Sequence, residues 1–185
     1  MNNDIDEKMR LLHKSKSKSI LESTNWINNS KDGVRSIQNI SQILPGKFYK
    51  FNYNPVTKKE LDFYDKTPFI FAIDIIKDSN IRIVGFNLNY VDLETKIEFV
   101  SSLYSIYNTF INNMIKKYPN DAILQHRLNF AYSEIKGNLP DNKIRTYFVN
   151  KMNNVKTISY ENFYKIPYIL DYNIVGTQYT KIIKT

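Results

Sequence analysis

Between residues 45 and 91 the apolar positions gather into three aromatic-rich runs, 48–53, 68–76 and 81–90, while the segments on either side carry apolar residues at helical spacing. In the first run Phe48, Tyr49, Phe51 and Tyr53 interleave with Lys47, Lys50 and Asn52, which predicts a short strand with one face partly wet, stopped by Asn54 and Pro55. The second run opens at Pro68 and is nearly continuous in apolar residues, the pattern of a strand covered on both faces. Asp78, Ser79 and Asn80 predict a turn into the third run. There the apolar set changes parity, from Ile81, Ile83 and Gly85 to Phe86, Leu88 and Tyr90, which predicts a bulge or kink at Gly85. Residues 56–67 read as a charge-balanced loop with Leu61, Phe63 and Tyr64 as inward anchors.

Before this block, Ile5, Met9, Leu12, Ile20 and Ile27 predict one helical arm over 5–28, interrupted at 14–19 by alternating Lys and Ser. A turn at 28–33 leads to a short second helix over 34–44, closed by Pro45 and Gly46. After the block, Asp92 is the N-cap of the longest helix, which ends at Pro119. Further helices are predicted over 121–136, with Gly137 as C-cap, and over 141–152. The tail holds one helical turn capped by Ser159, a break at Pro167 and an extended end. The pattern as a whole predicts an α+β fold: a small, mostly antiparallel sheet over 45–91 packed against three helices. Residues 1–44 form an N-terminal helical arm and 45–185 a single domain with an extended C-terminus.

With 185 residues the chain is long enough to bury a core without staples, and the absence of cysteine excludes disulfides, thiolate metal sites and cysteine nucleophiles. Its two histidines, His13 and His126, lie far apart in unlike contexts, a poor start for a metal site or a catalytic triad. No run approaches the length of a membrane span. The net charge of +8 favours acidic partners, although the lysines are spread thinly and the only tight basic run is 13–18.

The densest carboxylate group is Glu60, Asp62, Asp65 and Asp74, with Lys77 nearby. The Asp74–Lys77 spacing is wrong for a metal-dependent nuclease strand, in which alternate residues share a face. Phosphate-binding and nucleophile-elbow motifs are missing from the sequence. No catalytic set, cofactor or metal is expected. Contact with nucleic acid is the better chemical reading, because lysines alternate with aromatics over 47–53 and Arg145, Lys151 and Lys156 add charge later. Its candidate residues are Lys14, Lys16, Lys18, Lys47 and Lys50.

Three motifs, Pro45-Gly46 with Tyr49, Tyr64-Asp65 with Pro68, and Gly85 with Asn87 and Tyr90, resemble a family of tailed-bacteriophage virion structural proteins. The segments IRTYFVNKM and ENFYKIPYIL, then GTQYTKI, extend the resemblance over most of the chain after Pro45; Thr67, where a basic or bulky residue is expected, departs from it. The resemblance implies a non-enzymatic neck, tail or DNA-end component that assembles as a ring of copies and meets other virion proteins. It places the protein in the virion, and in the host cytoplasm during assembly, with no membrane contact and with DNA contact as the alternative role. Trp26, Tyr64, Asp65, Tyr168 and Tyr172 are the candidate interface residues, the Tyr64-Asp65 tip of the 56–67 loop foremost.

Overall fold

The structure is a computed structural model that describes residues 3–30, 32–39, 42–56, 61, 63–114, 139, 141–170 and 174–176. Helices α1 (Asn3–Lys14) and α2 (Lys16–Asn29) precede strands β1 (Val34–Ser36), β2 (Phe48–Tyr53), β3 (Phe63–Asp65), β4 (Phe69–Lys77) and β5 (Ile81–Asn87). Helix α3 (Leu93–Met114) is followed by β6 (Ile144–Phe148), β7 (Met152–Ile158), a 3-10 helix (Tyr160–Tyr168) and β8 (Ile174–Gly176). Six strands form one antiparallel sheet in the order β1-β7-β2-β4-β5-β6, and β3 pairs with β8 in a separate two-stranded sheet. This is an α+β fold.

Strand alternation divides the core in two. Phe48, Phe69, Phe71, Ile73 and Phe86 point to the helix side, where they pack with Phe99, Val100 and Leu103 of α3 and with Phe163 and Ile166 of the 3-10 helix. Tyr49, Phe51, Ile70, Ala72 and Ile83 point to the other side and meet Ile43, Tyr147, Val149, Met152 and Val155. Phe48 lies with its ring centroid 4.8 Å from that of Phe163 and 5.0 Å from that of Phe71, in edge and tilted contacts that suit ring quadrupoles. Asp92 caps α3 as expected, accepting hydrogen bonds from Thr95 N (2.8 Å) and Thr95 Oγ1 (2.9 Å). The Thr95 amide holds the Asp92 carboxyl below its ordinary pKa.

The sheet is larger than the 45–91 block. Residues 141–152, expected as a helix because Ile144 and Phe148 are four apart, instead form a 3-10 turn, β6 and a second 3-10 turn leading into β7. The open edge of β5 supplies hydrogen-bond partners for Ile144–Phe148, and this tertiary pairing outweighs local spacing. The helix expected over 34–44 is likewise replaced at its start by β1, whose Val34 opposes Ile158 on β7. The 56–67 loop contains β3, paired with β8. The helix expected over 121–136 and the end of the preceding helix, 115–118, lie outside the described residues.

The single arm helix is two helices broken at Ser15, at the start of the Lys/Ser alternation. Both pack against the 3-10 helix: Met9 and Ile27 belong to the helix-side core, and Tyr168 Oη donates to Met9 O at 2.8 Å. Pro167 lies within the 3-10 helix rather than ending it. No helix among the described residues is long and apolar enough to cross a membrane.

The expected irregularity at Gly85 is real but lies on the facing strand, where the register shifts between Ala72 and Asp74. Gly85 opposes Ala72 just before this shift, and a Cβ placed on it would sit 2.6 Å from Ile70 Cδ1 and 3.0 Å from Ile70 Cβ. The glycine is there because the Ile70 side chain occupies the space a larger residue needs.

Candidate nucleic-acid interface

Two of the three motifs that carry the phage resemblance, Tyr64-Asp65 and Asn87 with Tyr90, converge in space. Asp65, at the end of β3, is 2 % exposed, and Asn87 at the end of β5 and Asn89 in the 3-10 turn that follows are fully buried beside it. Asp65 Oδ1 accepts from Thr67 N (2.9 Å), and Oδ2 accepts from Asn89 Nδ2 (2.7 Å) and, at 3.4 Å, from Asn87 Nδ2. Asn87 Nδ2 also donates to Tyr147 Oη (2.9 Å), and Asn87 Oδ1 accepts from Asn89 N (2.9 Å). Asn89 Nδ2 reaches Thr67 O as well (3.1 Å), so the amides tie β3, the turn after it, β5 and β6 into one unit. Buried polar groups pair in this way because an unpaired one costs about 1–3 kcal/mol; among the described residues Asn89 Oδ1 is the exception in this network, buried with no hydrogen-bond partner.

Above this network lies a cleft of about 310 Å³ whose lining includes Tyr53, Tyr64, Tyr90, Arg145 and Tyr147, with Pro55, Val56 and Leu61 toward its mouth. The Tyr53 and Tyr147 rings meet edge to face at 5.1 Å. Arg145 Cζ stands 5.4 Å from the centre of the Tyr90 ring, within cation–π range. Burial pushes the phenol pKa values of Tyr53, Tyr90 and Tyr147 up, and the Asp65 charge adds to the shift at Tyr90 and Tyr147. All three phenols therefore stay neutral at physiological pH. Among the described residues the cleft combines tyrosine rings, aliphatic side chains and a guanidinium, the residue types that stack a base and pair its phosphate.

The Tyr64-Asp65 tip is thus not a protruding interface. Tyr64 is half-buried and lines the cleft, while Asp65 is turned inward onto amides. Tyr168 is also buried; burial pushes its phenol up to about 12, and its hydroxyl serves Met9 O. Trp26 packs against its own helix-side core, donates from Nε1 to Asp32 O (3.1 Å) and lies under Lys165 Nζ at 4.3 Å. Tyr172 lies outside the described residues.

Among the candidate lysines, Lys14, Lys16 and Lys18 are exposed around the α1–α2 break, and Lys47 is exposed before β2. Lys16 pairs with Glu94 and Lys18 with Glu22, each at 3.7 Å between exposed side chains, contacts of little strength in water. Lys50 is different. Its face of β2, read as wet from the alternation, is covered by α2, so the side chain is buried and Nζ donates to Asn28 Oδ1 at 2.7 Å. Its cross-strand neighbour Lys156 donates to Ile27 O (3.1 Å) and Asn28 O (2.9 Å). Two ammonium groups side by side are tolerated because they face the negative end of the helix.

Of the carboxylate group read in the sequence, only Asp65 and Asp74 are among the described residues. Glu60 and Asp62 lie outside the described residues, Asp65 is buried, and Asp74 is exposed and accepts from Ile75 N. Among the described residues no three His, Cys, Asp or Glu side chains form a group that could hold a metal ion.

Sequence reasoning counted Arg145 only as late charge and overlooked Tyr53, Asn89 and Tyr147 as parts of one site. The visible signal was the asparagine pair in GFNLNY, since two amides in an apolar strand end need buried partners.

No curated protein and no solved structure matches the chain. The family model for the phage T4 terminal DNA protecting protein matches residues 1–170, and the chain belongs to that family.

Proposed function

We propose that this protein binds the ends of phage DNA and shields them, acting by binding and without catalysis, in the virion and during its assembly in the host cytoplasm. The observation that carries the reading is the family match over residues 1–170, whose description names terminal DNA protection. The net charge of +8 supports it, as do the exposed lysines 14, 16, 18 and 47, which suit phosphate backbone, and the tyrosine–arginine cleft, which suits a nucleotide. The ring-forming neck or tail role has less behind it, because Asp65 and Tyr168, two of its proposed contacts, face inward.

The test is competition between linear duplex and a relaxed closed circle of the same sequence. Linear DNA is expected to compete at least about tenfold better per molecule. The affinity for both falls as salt rises, by roughly one log unit per log unit of salt for each phosphate contacted. Equal competition by circle and linear DNA, or binding indifferent to salt, contradicts the proposal.

A further inference from the structure

A DNA end offers what its interior does not: a last base pair with one open face, whose bases leave the stack at the least cost. Resting on the DNA-end reading above, we propose that the cleft between Tyr53 and Tyr64 receives the last nucleotide of one strand, unpaired from its partner, with its base against these half-buried rings and its phosphate paired to Arg145.

Size is the first argument. At about 310 Å³ the cleft stands at the lower end of small-molecule sites, about 300–1,000 Å³, so it has room for one nucleotide and not for a stacked base pair. Its walls are mostly carbon, and Val56 and Leu61 at the mouth are 64 % and 42 % exposed, an apolar rim that a base would cover.

Charge is the second. Among the described lining residues Arg145 is the cation, and its guanidinium lies over the Tyr90 ring at the wall of the cleft. Asp65, the anion among them, is held by Thr67 N and Asn89 Nδ2, so its carboxylate is turned onto amides rather than toward an incoming phosphate. A tyrosine face accepts any base, so this stacking contact recognises a terminus without regard to its sequence.

The experiment places 5-iodouracil either at the terminal position or in the interior of a duplex and irradiates the complex with the full-length protein. Cross-links from the terminal base are expected at Tyr53 or Tyr64, and neither of these from the interior base. In parallel, Tyr64→Ala is expected to weaken binding to ends about tenfold, the scale of one lost base–aromatic stack, while binding to closed circles is unchanged. Tyr64→Trp restores a stacking face and is expected to recover the end affinity. Leu61→Asp puts a negative charge at an exposed position of the rim and is expected to act like Tyr64→Ala without disturbing the core. If terminal iodouracil cross-links elsewhere, or if Tyr64→Ala and Leu61→Asp bind ends as the wild type does, the cleft is not the terminal site, although the DNA-end function would stand. If the wild type itself fails to prefer linear DNA to circles, both readings fall.

Discussion

Asp65→Ala is expected to destabilise the protein by about 3–5 kcal/mol. The carboxylate accepts a short, charge-assisted hydrogen bond from Asn89 Nδ2 and another from Thr67 N, in a site where Asn87 and Asn89 are both fully buried. Alanine leaves those donors facing a void, and each unsatisfied buried group costs about 1–3 kcal/mol. In a chain of this size such a loss lowers the melting temperature by about 10 °C. Asp65→Asn keeps the volume and one carbonyl acceptor but sets amide hydrogens against those of Asn89, so about half the loss is expected. Urea denaturation of the two variants beside the wild type checks the order; an alanine variant as stable as the wild type would mean that the network is decoration.

Lys96→Met should act in the opposite direction. Lys96 lies on α3 with no exposed surface, and burial lowers its pKa to about 7, against the smaller, opposing pull of Asp92. The unfolded chain keeps the ordinary lysine value of 10.5, so between about pH 7 and 10.5 it holds a proton that the folded chain lacks. Stability therefore rises with pH through that window. Below about pH 7 both states are protonated and the folded state bears the whole cost of the buried charge. A fall from 10.5 to about 7 corresponds to about 5 kcal/mol at ~1.4 kcal/mol per pH unit, as an upper bound. Methionine has similar length and no charge, so Lys96→Met is expected to stabilise the protein by about 1–4 kcal/mol at pH 6–7 and to flatten the rise above pH 7. Denaturant melts from pH 6 to 10 check this, and a variant whose curve runs parallel to the wild type's would rule Lys96 out as the source of the slope.

The central strands were legible because their signals are local. The aromatic runs gave β2, β4 and β5, and Asp92 marked the start of α3. What was not legible depended on partners far along the chain. Ile144 and Phe148 look helical by spacing until the open edge of β5 is taken into account. Val34 becomes a strand residue because β7 lies beside it, some 120 positions later. Lys50 shows the same limit at the level of the site: period-2 alternation correctly sorts it from Phe51, but only the position of α2 decides that its face is buried. Within the dense acids and aromatics of 56–68, Asp65 and Tyr64 do belong to an organised polar site. Its chemistry was misread, since Asp65 works as an internal acceptor and the exposed character lies with the tyrosine–arginine cleft around it.

The central claim, that the protein covers DNA ends, is tested most directly by challenging end-labelled linear duplex with a double-strand exonuclease at saturating protein. The account expects the labelled ends to persist while the same duplex, given an internal double-strand break after the complex has formed and the free protein has been removed, is degraded from the new ends. Equal loss of label with and without the protein would contradict it.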